Sequence, residues 1–163
     1  MHTTYNLLIH LASFGLRIMA LFNKKMKLFV DGRKDVLKIL HQKIPASHKT
    51  VWFHCASLGE FEQGVPIMEA VKKRKPDHKI VVSFFSPSGF EIKKNTKLAD
   101  AVVYLPMDTP ENASKFIEAI NPELVFFVKY EFWPNYLFEL KKKKIPIFLI
   151  SGVFREKQIF FKI

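Results

Sequence analysis

The sequence holds a single cysteine, Cys55, so no internal disulfide can form and a reducing compartment suits the chain. No second His or Cys lies at ligand spacing from His54, which argues against a zinc site. There is no Gly-x-Gly-x-x-Gly dinucleotide fingerprint and no Gly-Lys-Ser/Thr phosphate loop. Internal repeats and low-complexity linkers are also missing, so 163 residues make one domain of ordinary size. Acidic residues are scarce, 15 Asp and Glu against 26 Lys and Arg, giving a net charge of +11. Such an excess favours an anionic partner: nucleic acid, acidic lipid headgroups or a phosphorylated substrate. What is plentiful is apolar surface, 48% of residues with 17 Phe, which excludes an intrinsically disordered chain. Cys55 lies inside an apolar run and reads as a packed small residue rather than a nucleophile.

The N-terminal stretch from Tyr5 to Phe22 is apolar and of borderline spanning length. No small-residue cleavage site follows it, so it does not read as a removed signal peptide. Its polar residues Asn6, His10, Ser13 and Arg17 are spaced four, three and four apart, one stripe of a helix. Such a helix can lie in a bilayer interface, pack against the domain, or span with the stripe against protein. Lys24, Lys25, Lys27, Arg33 and Lys34 follow and favour a cytoplasmic domain beside anionic lipid. The expectation is a membrane-associated helix over 1–27, a connecting segment over 28–49 and a sheet domain over 50–163.

From Thr50 the chain alternates short apolar runs with helical patterns. Val51–Cys55, Ile80–Phe85, Ala101–Leu105, Leu124–Val128 and Ile145–Ile150 are nearly continuous in Val, Ile, Leu and Phe, as parallel strands covered on both faces are. Between them Glu60–Lys75, Pro87–Asn95, Pro110–Ile120 and Trp133–Lys143 read as helices, several with a proline in the first turn. This rhythm predicts an α/β fold: an open parallel sheet with helices on both faces. The polar residues gather where strands end: Ser57-Leu58-Gly59-Glu60, Ser86-Pro87-Ser88-Gly89, Asp108-Thr109, Lys129-Tyr130-Glu131 and Ser151-Gly152. Carboxyl ends of strands are where open α/β sheets bind ligands. A 3-2-1-4-5 strand order, taken from the fold class, would bring Glu60 and Glu131 to one crevice.

Two readings of Glu60 stand side by side. Ser57-x-x-Glu60 fits a capping box, in which Glu60 accepts from the Ser57 backbone N–H. It equally fits an ionised carboxylate at a helix N-terminus that serves as a general base. Gly59 permits a sharp turn or a close ligand. Glu131 reads either as a loop acid beside Lys129 or as a second acid of the site. Ser86-Pro87-Ser88-Gly89 reads as a turn or a weak anion site, and Trp133 as packing for a helix start or a wall of the cleft. The runs Lys72–Lys75 and Lys141–Lys144 fall at helix C-termini and have no interleaved aromatics, so nucleic acid is not the expected partner.

Four segments in order, His54-Cys55-Ala56-Ser57-Leu58-Gly59-Glu60, Ser86-Pro87-Ser88-Gly89, Tyr104-Leu105-Pro106-Met107-Asp108 and Glu131-Phe132-Trp133-Pro134, resemble the 3-deoxy-D-manno-octulosonic acid (Kdo) transferases of lipid A synthesis. The resemblance implies the N-terminal, acceptor-binding half of a GT-B glycosyltransferase with two Rossmann-like domains. The chain is then expected to be a piece of a longer protein, without turnover by itself. The resemblance implies that Glu60 is the general base, and that Ser57, Gly59, Ser88, Gly89 and Glu131 shape the acceptor site. It also implies no metal and no cofactor, with CMP-Kdo as donor held by the C-terminal domain. The acceptor would be a lipid A precursor at the cytoplasmic face of the inner membrane, and displacement would invert the anomeric centre.

Overall fold

The computed structural model describes residues 2–152. Five strands, β1 (Thr50–Cys55), β2 (Lys79–Phe84), β3 (Ala101–Tyr104), β4 (Pro122–Val128) and β5 (Ile147–Ile150), form one sheet in the order β3-β2-β1-β4-β5. Every pairing is parallel. The expected strand order and the Rossmann-like α/β class are therefore met, and β1 and β4 meet where the winding reverses. β1 is buried along its whole length, the reason its sequence shows no polar alternation.

The seven helices among the described residues are α1 (His2–Met19), α2 (Lys24–Asp31), α3 (Val36–Lys43), α4 (Leu58–Arg74), α5 (Pro87–Lys93), α6 (Pro110–Ile120) and α7 (Pro134–Lys142). Successive residues of β1 serve opposite cores. Val51, Phe53 and Cys55 pack with Phe61 and Met68 of α4, while Trp52 packs with Leu40 of α3, Phe116 of α6 and Tyr136 of α7. This alternation sends His54 to the Trp52 side and leaves Cys55 sealed on the other, where burial pushes its thiol pKa well above the usual range.

Element ends differ from the sequence pattern in small ways. α4 starts two residues before Glu60, because Ser57 is extended and takes the N-cap position. β5 starts at Ile147 rather than Ile145, since Lys144 is left-handed (φ 56°) and the Ile145 N–H donates back to Leu140 O. Residues 28–49 hold the end of α2 and all of α3, and the Arg33 guanidinium donates to the carbonyls of Phe29, Phe85 and Leu105, tying the end of α2 to the ends of β2 and β3.

α1 is amphipathic, and the N-terminal part of its polar side meets the domain, with Asn6 and Ser13 half-buried while His10 and Arg17 stay exposed. Tyr5 OH donates to Asp108 Oδ2 at 2.6 Å, and Asn135 Nδ2 donates to Asn6 Oδ1 at 2.9 Å. Leu7, Leu11, Phe14 and Ile18 face outward, 46–63% exposed. Among the described residues no helix is long and apolar enough to cross a membrane.

Candidate functional site

β1 ends at Cys55 and the chain turns through Ala56 and Ser57 into α4, so Glu60 is the third helical residue. Its side chain reaches back over the helix start, and the Ala56 backbone N–H donates to Oε2. The capping box is thus altered: the donor is Ala56 rather than Ser57, and the Ser57 side chain makes no cap bond. Ser57 is extended (φ −142°) at the N-cap position. Glu60 is 9% exposed.

Burial is the main force on its proton affinity, and it raises the pKa above the ordinary glutamate value. The Ala56 N–H opposes that shift, the Glu131 charge adds to it, and Lys129 and His54 oppose it weakly. The charge of Glu131 is thus felt at Glu60 although the two acids lie 71 positions apart in the sequence. A carboxylate held in a desolvated place beside a second acid has raised proton affinity, as a general base near neutral pH requires.

Glu131 owes its position to two features the sequence pattern did not reveal. Lys129, directly after β4, is left-handed at φ 62°, while its N–H still donates to Ile150 O at 2.8 Å. That conformation is uncommon for a side chain with a Cβ, costs on the order of 1–3 kcal/mol, and tends to occur at functional sites. The chain turns there after the end of β4, and Glu131 comes to lie beside His54 of β1. The second feature is a buried polar chain. Trp52 Nε1 donates to Ser83 Oγ at 2.8 Å, His54 Nδ1 lies 2.8 Å from the same oxygen, and Trp133 Nε1 donates to His54 Nε2 at 3.1 Å. An indole N–H can only donate, so His54 Nε2 is the acceptor and the ring is neutral with its proton on Nδ1. Trp133 also stacks on Phe85 with centroids 4.7 Å apart. The basic atom that Glu131 meets is His54 Nε2, at 3.7 Å, a contact rather than an ion pair while the lone pair is held by Trp133.

The other expected residues lie at the starts of α4 and α5. Gly59 is exposed in the first turn of α4, with no positive φ, and a Cβ built there meets nothing within 4 Å. A sharp turn is not its reason; the open space beside it is what it offers. Gly89 is buried where a side chain would collide with Phe84 and come within 2.9 Å of the Leu58 backbone N, so it lets α5 close on the start of α4. Ser88 is exposed beside it; the Ser86 hydroxyl accepts from Ser88 N–H and meets the Ser88 hydroxyl at 3.0 Å. Asp108 accepts from Tyr5 OH and from the Asn135 and Tyr136 N–H groups at the start of α7. Burial raises its pKa, and those three donors oppose the rise. Its role is to anchor α1, a pairing no local pattern could reveal across a separation of 103 residues. Ser151, after β5, is also left-handed.

The five-strand parallel sheet with helices on both faces is a Rossmann-like α/β domain, and in such sheets ligands bind at the carboxyl ends of the strands. The comparisons give the family. A family model described as 3-deoxy-D-manno-octulosonic-acid transferase (kdotransferase) matches residues 32–160, and the chain belongs to that family. It is 34% identical over 98 residues to the 3-deoxy-D-manno-octulosonic acid transferase of Aquifex aeolicus, covering 60% of this chain and 27% of the relative. With the enzyme of the same name from Haemophilus influenzae it is 32% identical over 104 residues, 63% of this chain and 24% of the relative. With that of Chlamydia muridarum it is 30% identical over 130 residues, 78% of this chain and 30% of the relative. The chain spans about a quarter of the length of these curated relatives.

Proposed function

We propose that this chain is the acceptor-binding half of a membrane-associated, inverting Kdo transferase. Glu60 is the general base. It takes the proton from a sugar hydroxyl of a lipid A precursor as that oxygen attacks the anomeric carbon of Kdo in CMP-Kdo. The new C–O bond forms as the bond to the CMP phosphate breaks, and CMP departs with its electron pair. Ser57, Gly59, Ser88 and Gly89 shape the acceptor side, Glu131 raises the proton affinity of Glu60, and a second domain of the GT-B kind holds the donor. What carries this proposal is the meeting of Glu60 and Glu131 at the switch point, in a chain of this family.

The outward apolar face of α1, next to Lys24, Lys25 and Lys27, suits a helix lying on an anionic bilayer at the cytoplasmic face of the inner membrane. Placing enzyme and lipid acceptor on one surface raises their effective concentration. The competing reading is a membrane-docking module without catalysis, and it draws on the closure of Glu60 onto the Ala56 N–H. One experiment separates the two. The chain is joined to the C-terminal half of the Aquifex aeolicus relative and assayed for Kdo transfer to a lipid A precursor, with and without Glu60→Gln. A fall of about 10²–10⁴-fold is expected for loss of a general base. Transfer by the variant at the unsubstituted rate would reject the base.

A further inference from the structure

Away from Glu60, a cleft of about 690 Å³ runs between α1, α2 and the loop after β3. That volume falls within the roughly 300–1,000 Å³ of sites that enclose small ligands. Its lining combines two chemistries. Leu16, Leu21, Phe29 and Met107 are apolar, and Arg17, Lys27, Arg33 and Lys34 are cationic. Asp31 is the acid of the lining, and it is paired with Lys34 at 2.6 Å. Three cations are left without a carboxylate in ion-pair contact among the described residues.

Arg33 is the informative one. Its guanidinium lies 3.5 Å over the Phe29 ring and spends Nε, Nη1 and Nη2 bonds on three backbone carbonyls. Five N–H donors are available on that group, so two remain. No acid neutralises it, and burial pulls its pKa down to about 10. A half-buried cation without a counter-charge is costly, and an anion entering the cleft would relieve it. The cleft also adjoins the outward apolar face of α1: Leu21 lines it while staying 78% exposed.

We propose that this cleft binds one phosphate-bearing lipid drawn from the bilayer, with an acyl chain against Leu16, Leu21, Phe29 and Met107 and the phosphate on Arg17, Lys27 and Arg33. It rests on the assignment of α1 as the bilayer-facing helix only for where the lipid comes from, and is independent of the chemistry of Glu60. The site grips a single lipid, distinct from the general adhesion of the α1 outer face.

The test uses the 163-residue chain and dihexanoyl phosphatidic acid below its micelle concentration, read by titration calorimetry and by shifts of α1 and α2 amide resonances. Inorganic phosphate and dihexanoyl phosphatidylcholine are run alongside. Saturable binding of the phosphatidic acid is expected. Ala20→Trp, which fills the cleft, and the surface pair Arg17→Ala with Lys27→Ala should each weaken it about tenfold or more. Inorganic phosphate should bind at least about tenfold less tightly, for want of the acyl contacts. No binding, or binding indifferent to both changes, overturns the site, and phosphate binding as well as the lipid overturns the acyl part. The surface pair keeps the test decisive if Ala20→Trp fails to fold. Leu11→Asp with Phe14→Asp should abolish flotation with phosphatidic acid vesicles while sparing the soluble lipid. Vesicle binding that survives that pair would refute the bilayer-facing helix and leave the cleft standing.

Discussion

The two ends of the sheet each carry an acid among basic neighbours, and they treat it in opposite ways. At the amino end Glu123 lies half-exposed between Lys49 (3.0 Å) and Lys75 (2.6 Å), with His78 Nε2 at 3.2 Å but outside hydrogen-bond geometry. Bonds from the lysines hold its pKa down at about 2. At the carboxyl end Glu60 is buried, receives one backbone N–H, feels the charge of the second acid Glu131, and its pKa rises. Charge partners settle an acid into its ionised form and leave it little appetite for a proton. Desolvation and a like charge do the reverse, at some cost in stability. The first end keeps its acid ionised, and the second raises its acid's affinity for a proton.

The sharpest way to break this contrast is to remove each acid. Glu60→Gln should cost about 10²–10⁴-fold in kcat of the joined enzyme with little change in fold, whereas Glu123→Gln should leave kcat unchanged. The pH profile sharpens it further. A base must be ionised, so kcat should fall as pH drops through a Glu60 pKa that lies above the ordinary glutamate range. Glu131→Gln removes a charge that raises this pKa and should move that acid limb to lower pH; Lys129→Met removes one that lowers it and should move the limb up. Motion of the limb in the wrong direction in both variants would show that the coupling is misassigned.

His54→Phe should come next in size. It strips Trp133 Nε1 of its acceptor and leaves Ser83 short of a partner, at a cost of about 1–3 kcal/mol in denaturant unfolding. Nitrogen-15 shifts of His54 should report the neutral ring protonated on Nδ1, and a ring protonated on Nε2 would contradict the indole bond. Glu123→Gln should cost less than about 1 kcal/mol near neutral pH, since exposed ion pairs contribute little. The sign follows from a depressed pKa: the stability is present above the unfolded value near 4.5 and is lost as pH falls toward about 2. The variant should therefore show a flatter acid limb in an unfolding titration. Smallest of all, Gly59→Ala meets no atom and stands in a helix turn, so it should gain about 0.5 kcal/mol. A marked loss of transfer in that more stable variant would place the acceptor against Gly59, and unchanged transfer would remove Gly59 from the site.

Much of this was legible in the sequence. Unbroken apolar runs at Val51–Cys55 and Leu124–Val128 mark parallel strands because both faces of each are covered. Asn6, His10, Ser13 and Arg17 mark one stripe of α1 because the helical repeat returns them to one side. The motif residues carried the family. His54, Ser83 and Trp133 were not legible as a unit, since each is ordinary in its own segment and their bonds cross three elements. Nothing local distinguished Lys129 either, because a left-handed lysine is imposed by the turn its neighbours require.

The sequence by itself determined the order of strands and helices, the excess of positive charge and the carboxylates placed where strands end, because periodicity and composition are written residue by residue. Only the tertiary structure decided that Glu60 turns back to Ala56 rather than Ser57, and that Tyr5 and Asn6 of α1 bond to Asp108 and Asn135. It also decided that Arg33 sits without an acid beside a cleft. Those outcomes depend on burial and on contacts between distant segments, and the free energy of a charge is set by what surrounds it in space.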